Sequence, residues 1–215
     1  MIELHYHPSN ASLAPHLLLR ELGIPFELKY VDRAAGEHKS AAYLKLNPNG
    51  LIPVLIDGDL VLYETAAIVL HLVDTHPQAG LAPAVGTAER AQFYKWLMWL
   101  ACSVQPMMTH YFYSERMAAP GDAAGAAAVK AAAEAKIATL MDQIDAHLAS
   151  HGGPWFGGEH FSALDPHAFM LCRWTRGMKR PARTLPHIGT YLQRMLARPA
   201  VQKLIEVEGL QPPLV

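Results

Sequence analysis

Every strand-like segment of this chain falls before residue 64, and everything after it reads as helix. Ile2–Tyr6 and Phe26–Val31 are short runs of β-favouring residues, and Val54–Ile56 and Leu60–Tyr63 flank Asp57-Gly58-Asp59, a tight-hairpin signal. Leu13–Leu22 is an apolar helical stretch stopped by Gly23 and Pro25; Ser40–Leu46 is a shorter one, and Ala66–Thr75 follows the hairpin. The order is βαβαββα. Past the connector Pro77–Val85, helical patterns cover Ala88–Met108, Ala123–Ala149, Asp165–Thr175, His187–Ala197 and Pro199–Glu206. In the alanine-rich second one, Ile137, Leu140, Met141, Ile144 and Leu148 keep one stripe, which predicts a packed helix rather than a low-complexity segment. Pro106 predicts a break near the end of the first long helix. The expected fold is an α/β domain over 1–77, a linker over 78–87 and an all-helical domain over 88–215.

The segment NPNGLIPVLIDGDLVLYET, residues 47–65, says most about function. Pro53 stands where a strand begins and donates no hydrogen bond, which leaves Ile52 with a free N–H and C=O. Glu64-Thr65 then open a helix whose first N–H groups have no intrahelical acceptor. Free strand backbone beside such a terminus suits a peptide-like ligand that carries a carboxylate.

Composition excludes several other classes. A hydrophobic fraction of 51%, a charged fraction of 17% and a net charge of -1 give no electrostatic case for nucleic acid or an anionic membrane. No apolar run reaches the ~20 residues of a membrane span, and the first residues show no signal-peptide pattern. Cys102 and Cys172 form neither a CxxC nor a disulfide framework, which fits a reducing, cytoplasmic setting. The twelve histidines are scattered; His147 and His151 stand at i, i+4 but end at Gly152-Gly153 without a third ligand, so no metal is expected. His5 and His7, on one strand face, are expected to pack or meet solvent. There is no G-x-S-x-G, P-loop or G-x-G-x-x-G.

Several ordered features together resemble the cytosolic glutathione transferases over nearly the whole chain: NPNG-x-IP at 47–53, Glu64-Thr65 before AAI, and WFGGEHFSALDPHAF at 155–169. The start, YHPSNASLAPHLLLREL, is similar to bacterial beta-class members. The resemblance implies a thioredoxin-like N-terminal domain, a helical C-terminal domain and a homodimer with its active site near the subunit interface. It implies glutathione as co-substrate and no other cofactor. It also implies a cis Pro53 that turns the backbone of Ile52, with Leu51 beside it, toward the cysteinyl unit. By the same resemblance, Glu64 and Thr65 hold the γ-glutamyl end, while His38 and Lys39 hold the glycine carboxylate.

Thiol activation is the open point. Beta-class members carry a cysteine where this chain has Ala11, so a mixed disulfide with glutathione through this position is excluded. The candidate donors to the sulfur are Asn10 and Ser9, then Ser12, then Tyr6. Asn10 stands where serine-type classes place their hydroxyl; Ser12 could equally be the cap of the following helix. A hydrophobic electrophile is expected against Met108, Tyr111 and Tyr113, with Trp96 in the core. A contact that beta-class members make to glutathione from an asparagine is in doubt, because Met98 stands there. Ser162-x-x-Asp165 reads as a structural capping box with Phe161 as its staple. The reading is conjugation of glutathione to small electrophiles. Glutathione-dependent disulfide or peroxide reduction, or a non-catalytic binding module, are the alternatives.

Overall fold

The computed structural model describes Met1–Val215. Four strands, β1 (Ile2–Tyr6), β2 (Phe26–Tyr30), β3 (Val54–Asp57) and β4 (Leu60–Tyr63), form one sheet in the order β2-β1-β3-β4. β1 runs parallel to β2 and antiparallel to β3, which pairs antiparallel with β4 across the hairpin. Helices α1 (Leu13–Leu22), α2 (Ala41–Leu46) and α3 (Thr65–Thr75) complete this thioredoxin-like unit. Six helices follow: α4 (Ala88–Trp99), α5 (Gln105–Phe112), α6 (Ala123–His151), α7 (Leu164–Trp174), α8 (Pro186–Leu196) and α9 (Pro199–Glu208). None is long and apolar enough to cross a membrane.

Helix α1 joins the two halves. All residues from Leu13 to Leu19 are buried, so it has no solvent face. It packs on β1 and α3 within the α/β unit and on α7 and α9 of the helical one. A helix buried all round lies within a shared core rather than on a surface. The main core cluster accordingly runs without interruption from Ile2 and Leu4 through Leu17, Leu97, Ile144 and Phe169 to Val201. The connector is tied down as well: buried Arg90 bonds Asp74 and the carbonyl of Pro83 (3.0 Å), and the N–H of Ala163 reaches the carbonyl of Leu81 (2.8 Å).

Two expectations need correction. Pro106 does not break its helix: α4 runs into α5 through a π turn, Leu100–Val104, closed by a bond from Gln105 N–H to Leu100 C=O. Widening the turn ahead of a proline makes room for its ring and its missing donor. The capping box at α7 is made only in part. Asp165 accepts the N–H of Ser162 (2.8 Å), but the Ser162 hydroxyl takes the N–H of Leu164 (3.3 Å) rather than that of Asp165. Asp165 also accepts the N–H of Phe156 (2.8 Å), and burial pushes its carboxyl up to about 6. Phe161 packs edge-on to Trp155 (5.2 Å) and under Arg198 (3.7 Å). The histidines settle into packing roles: His5 lies edge-on to Tyr43, and His147 stacks on Trp96 and bonds the carbonyl of Phe156 (2.8 Å).

His167, fully buried on α7, bonds Gln105 Oε1 (2.9 Å), and burial pushes its imidazole down to about 4. The unfolded chain takes up that proton near 6.5 and the folded chain only near 4, so this residue lowers stability as pH falls through that window. Relative to His167→Gln, the wild type is expected to lose roughly 3 kcal/mol between about pH 7 and pH 4 in urea unfolding. A difference that does not vary with pH would contradict the burial of a neutral imidazole.

Candidate active site

The strand registers bring the candidate residues to one edge of the sheet. His5 pairs with Val54 and Val54 with Tyr63. Ile52 and Pro53 lead directly into Val54, the first residue of β3, while Glu64 and Thr65 directly follow Tyr63, the last of β4, so the two segments leave the sheet at the same end. This is the edge where β1 and β2 end, the side on which open α/β sheets take ligands.

Ile52 is fixed from within and free without. Its side chain is buried with Val31, Tyr43 and Val54. The carbonyl of Leu51 is taken twice, by the Tyr43 hydroxyl (3.0 Å) and by Asn47 Nδ2 (2.9 Å). The Ile52–Pro53 peptide is cis, and neither the N–H nor the C=O of Ile52 meets a protein partner. Leu51 leaves an exposed side chain beside it.

At the start of α3, Glu64 holds φ 74° and ψ 116°, a conformation that a residue with a side chain rarely adopts and that costs about 1–3 kcal/mol. Its carboxylate is exposed and caps nothing, while its carbonyl accepts from Ile68 (3.0 Å). The N–H groups of Thr65, Ala66 and Ala67 have no acceptor, and the helix dipole adds positive potential there. A nearby loop approaches from the other side. Lys39 Nζ bonds the carbonyl of Asn49 (3.2 Å), and a side chain at Gly50 would meet Lys39 Nζ at 2.7 Å and the His38 carbonyl at 2.8 Å. Gly50, at φ 58°, is therefore what lets residues 38–39 lie over the turn. His38 keeps a buried Nδ1 without a partner.

The loop from His7 to Ser12 separates the four candidate thiol donors. Asn10 Oδ1 accepts the N–H of Ala11 (2.7 Å), which fixes the amide orientation and leaves Nδ2 with no protein acceptor. Ser12 is committed to the loop itself. It is fully buried, its hydroxyl donates to the His7 carbonyl (3.1 Å) and accepts the His7 N–H (3.2 Å), and it caps no helix N–H. Tyr6 turns toward β2 and α1, edge-on to Tyr30 (6.1 Å) and His16 (6.0 Å). Burial, then Glu208 and Tyr30, raise its pKa, which opposes ionisation. Ser9, at φ 62°, is held on three atoms by the helical half. Its N–H donates to Glu208 (2.9 Å), its carbonyl accepts Trp174 Nε1–H (3.0 Å), and its Oγ accepts from Arg173 (3.2 Å).

Glu208, Arg173 and Trp174 had no signal in the sequence, because their role depends on how α7 and α9 dock. The other Glu208 oxygen accepts His16 Nδ1–H (2.8 Å), while Arg20 donates to His16 Nε2 (2.8 Å) and so sets the tautomer. Burial lowers the His16 pKa against the pull of Glu208, which keeps the ring neutral. On the electrophile side, Met108 is a core residue with no exposed surface, so it lines nothing. Its position just past the π turn faces it inward. Tyr111 and Tyr113 stay partly exposed; Lys130 lies over the Tyr111 ring (4.9 Å), and Arg33 bonds the Tyr113 hydroxyl (2.8 Å). No three His, Cys, Asp or Glu side chains come together in a metal-binding group.

A thioredoxin-like unit with unpaired strand backbone at its carboxyl edge, set against a helical bundle through α1, defines a glutathione-transferase type of fold. Residues 8–75 match the glutathione S-transferase N-terminal domain and residues 108–208 the C-terminal domain. A glutathione S-transferase of Xanthomonas campestris pv. campestris is 32% identical over 97% of this chain and 100% of its own length. A glutathione transferase homologue from Sulfitobacter, solved with bound glutathione, has a TM-score of 0.88 at 28% identity and covers 98% of this chain and 99% of its own. A sphingomonad glutathione S-transferase complexed with glutathione has a TM-score of 0.82 at 32% identity, over 97% of this chain and 100% of its own. The chain belongs to the glutathione S-transferase family.

Glu208→Ala would leave Ser9 N–H and His16 Nδ1–H buried and unpaired, at about 1–3 kcal/mol each. A loss of about 2–5 kcal/mol in urea unfolding is expected. Stability within ~0.5 kcal/mol of wild type would show that the clamp on Ser9 is dispensable.

Proposed function

We propose that the protein conjugates glutathione, as its thiolate, to small hydrophobic electrophiles in the cytoplasm, working as a homodimer in detoxification. The observation that carries this reading is the unpartnered N–H and C=O of Ile52, at the same end of the β3–β4 hairpin as the open N-terminus of α3. Ile52 pairs with the cysteinyl unit as one more strand would. Thr65 and the free N–H groups of α3 take the γ-glutamyl carboxylate, and Glu64 takes the ammonium. His38 and Lys39 hold the glycine carboxylate, with Leu51 alongside. Tyr111 and Tyr113 form the wall for the electrophile.

Asn10 is the thiol activator in this reading, and Ser9 positions it. A free thiol titrates near ~8.5, so the site must favour the anion, at about 1.4 kcal/mol for each pKa unit. Asn10 Nδ2 donates to the sulfur, and the start of α1 adds its field. The thiol proton leaves to solvent, the sulfur lone pair forms the bond to carbon, and the leaving group departs with its electron pair. The protein supplies position and charge stabilisation, with no covalent enzyme intermediate.

A hydrogen bond to a charged partner is worth about 1.5–3 kcal/mol, so Asn10→Ala is expected to lower kcat roughly ten- to hundredfold. The KM for glutathione should change less than about twofold, and the thiolate absorbance of bound glutathione should titrate about one unit higher. Full activity in Asn10→Ala would remove the assignment. Glutathione binding without conjugation across a broad electrophile panel, and without reduction of a mixed glutathione disulfide, would favour a binding module instead.

A further inference from the structure

We infer that the electrophile carries a negatively charged end, a carboxylate or similar oxyanion, which Arg33 and Arg116 grip on either side of Tyr113. The inference rests on the conjugation reading above and names the substrate class of the same site. Arg33 follows β2; its Nη2 donates to the Tyr113 hydroxyl (2.8 Å), and its guanidinium carbon stands 5.8 Å from the ring centroid. Arg116, from the helical half, lies over the same ring at 4.1 Å. Two guanidinium groups, one from each half of the molecule, thus lie against Tyr113.

Neither group is neutralised by a close carboxylate. Arg33 has no ion pair, and Arg116 has only Glu115 at 4.0 Å. The acids beside Arg33 in sequence are bound to their own loop: Asp32 accepts the N–H of Ala35 (3.0 Å) and Glu37 accepts the N–H of Asp32 (2.7 Å). The field at His38 agrees. Its pKa is lowered by burial first, then by Arg33, Lys39, Arg116 and His7, with no acid opposing them.

In the proposed pose the γ-glutamyl carboxylate goes to the start of α3 and the glycine carboxylate to His38 and Lys39, so neither is assigned to Arg33 or Arg116. The Tyr113 hydroxyl, already accepting from Arg33, keeps its own hydrogen to donate to an oxyanion. Phe112 and Met117, 47% and 50% exposed, are apolar chain neighbours of Tyr113 and Arg116. A flat apolar body with an acidic end matches all of these features.

The test compares the glutathione conjugates of 4-chloro-3,5-dinitrobenzoate and of its methyl ester, which share one ring and differ in one charge. Calorimetric titration should show the acid conjugate binding wild type roughly tenfold more tightly than the ester. That ratio should fall toward one in Arg33→Gln/Arg116→Gln and shrink as salt is raised. Equal binding of the two conjugates to wild type would overturn the inference. So would a double variant that loses both conjugates and free glutathione by one factor, since the guanidinium groups would then serve glutathione itself. Turnover of the two chlorides separates the readings. An acid preference in binding with neither chloride turned over upholds the anion site and counts against conjugation, overturning its assignment to an electrophile; turnover of both with no preference in binding upholds conjugation and overturns the inference.

Discussion

One buried carboxylate, that of Glu208, holds the two halves of this molecule in register. One oxygen meets Ser9 N–H on the loop after β1, and the other meets His16 on α1. Both partners belong to the α/β unit, whereas Glu208 ends α9, the last helix. A carboxylate taken out of water is tolerated only when its lone pairs are filled, so neither half can shift without leaving donors and acceptors unpaired. Trp174 and Arg173 complete the hold on Ser9 from α7. The left-handed backbone at Ser9, unfavourable for a serine in isolation, is sustained by this enclosure. Asn10 follows directly, and the direction of its amide depends on the same loop.

Binding and reactivity in the proposed site therefore rest on different physics. The surface proposed for glutathione is made by omission: Ile52 lacks ladder partners, α3 lacks acceptors for its first N–H groups, and the exposed Glu64 carboxylate caps nothing. Such a surface is set locally, by a proline, a helix start and one strained residue. The reactive loop is set at long range, by side chains from α7 and α9 that lie far away in sequence. Mutations in the helical half can thus change rate without touching a ligand.

That division also explains what the sequence revealed. Strands, hairpin and helix order follow from local patterns, and all came close to their final bounds. The Ile52 and Thr65 features were legible because proline and helix-start chemistry act within a few residues. Ser12 and Met108 could not be placed from the chain alone. Whether a serine beside a helix start caps that helix or closes the loop before it depends on where the His7 backbone returns. Whether Met108 faces a pocket or the core depends on one added residue in the π turn, which rotates everything after it. Arg33 and Arg116, unremarkable as surface cations in sequence, are brought to one residue because each lies against Tyr113.

The same geometry bears on which sulfur reacts. At the position where beta-class members carry cysteine, Ala11 offers a methyl group that joins the main core, and its N–H orients Asn10. Cys172 is sealed inside α7, where burial pushes its thiol up to about 12, far from any thiolate at neutral pH. Cys102 lies in the π turn between α4 and α5, away from the loop that carries Asn10 in the chain and on another element. Neither protein sulfur lies on the Asn10 loop, and in the proposed conjugation the nucleophile is the ligand's own thiol. An amide donor stabilises a thiolate but cannot form a bond to sulfur, so a site built on Asn10 favours direct attack over a mixed-disulfide route.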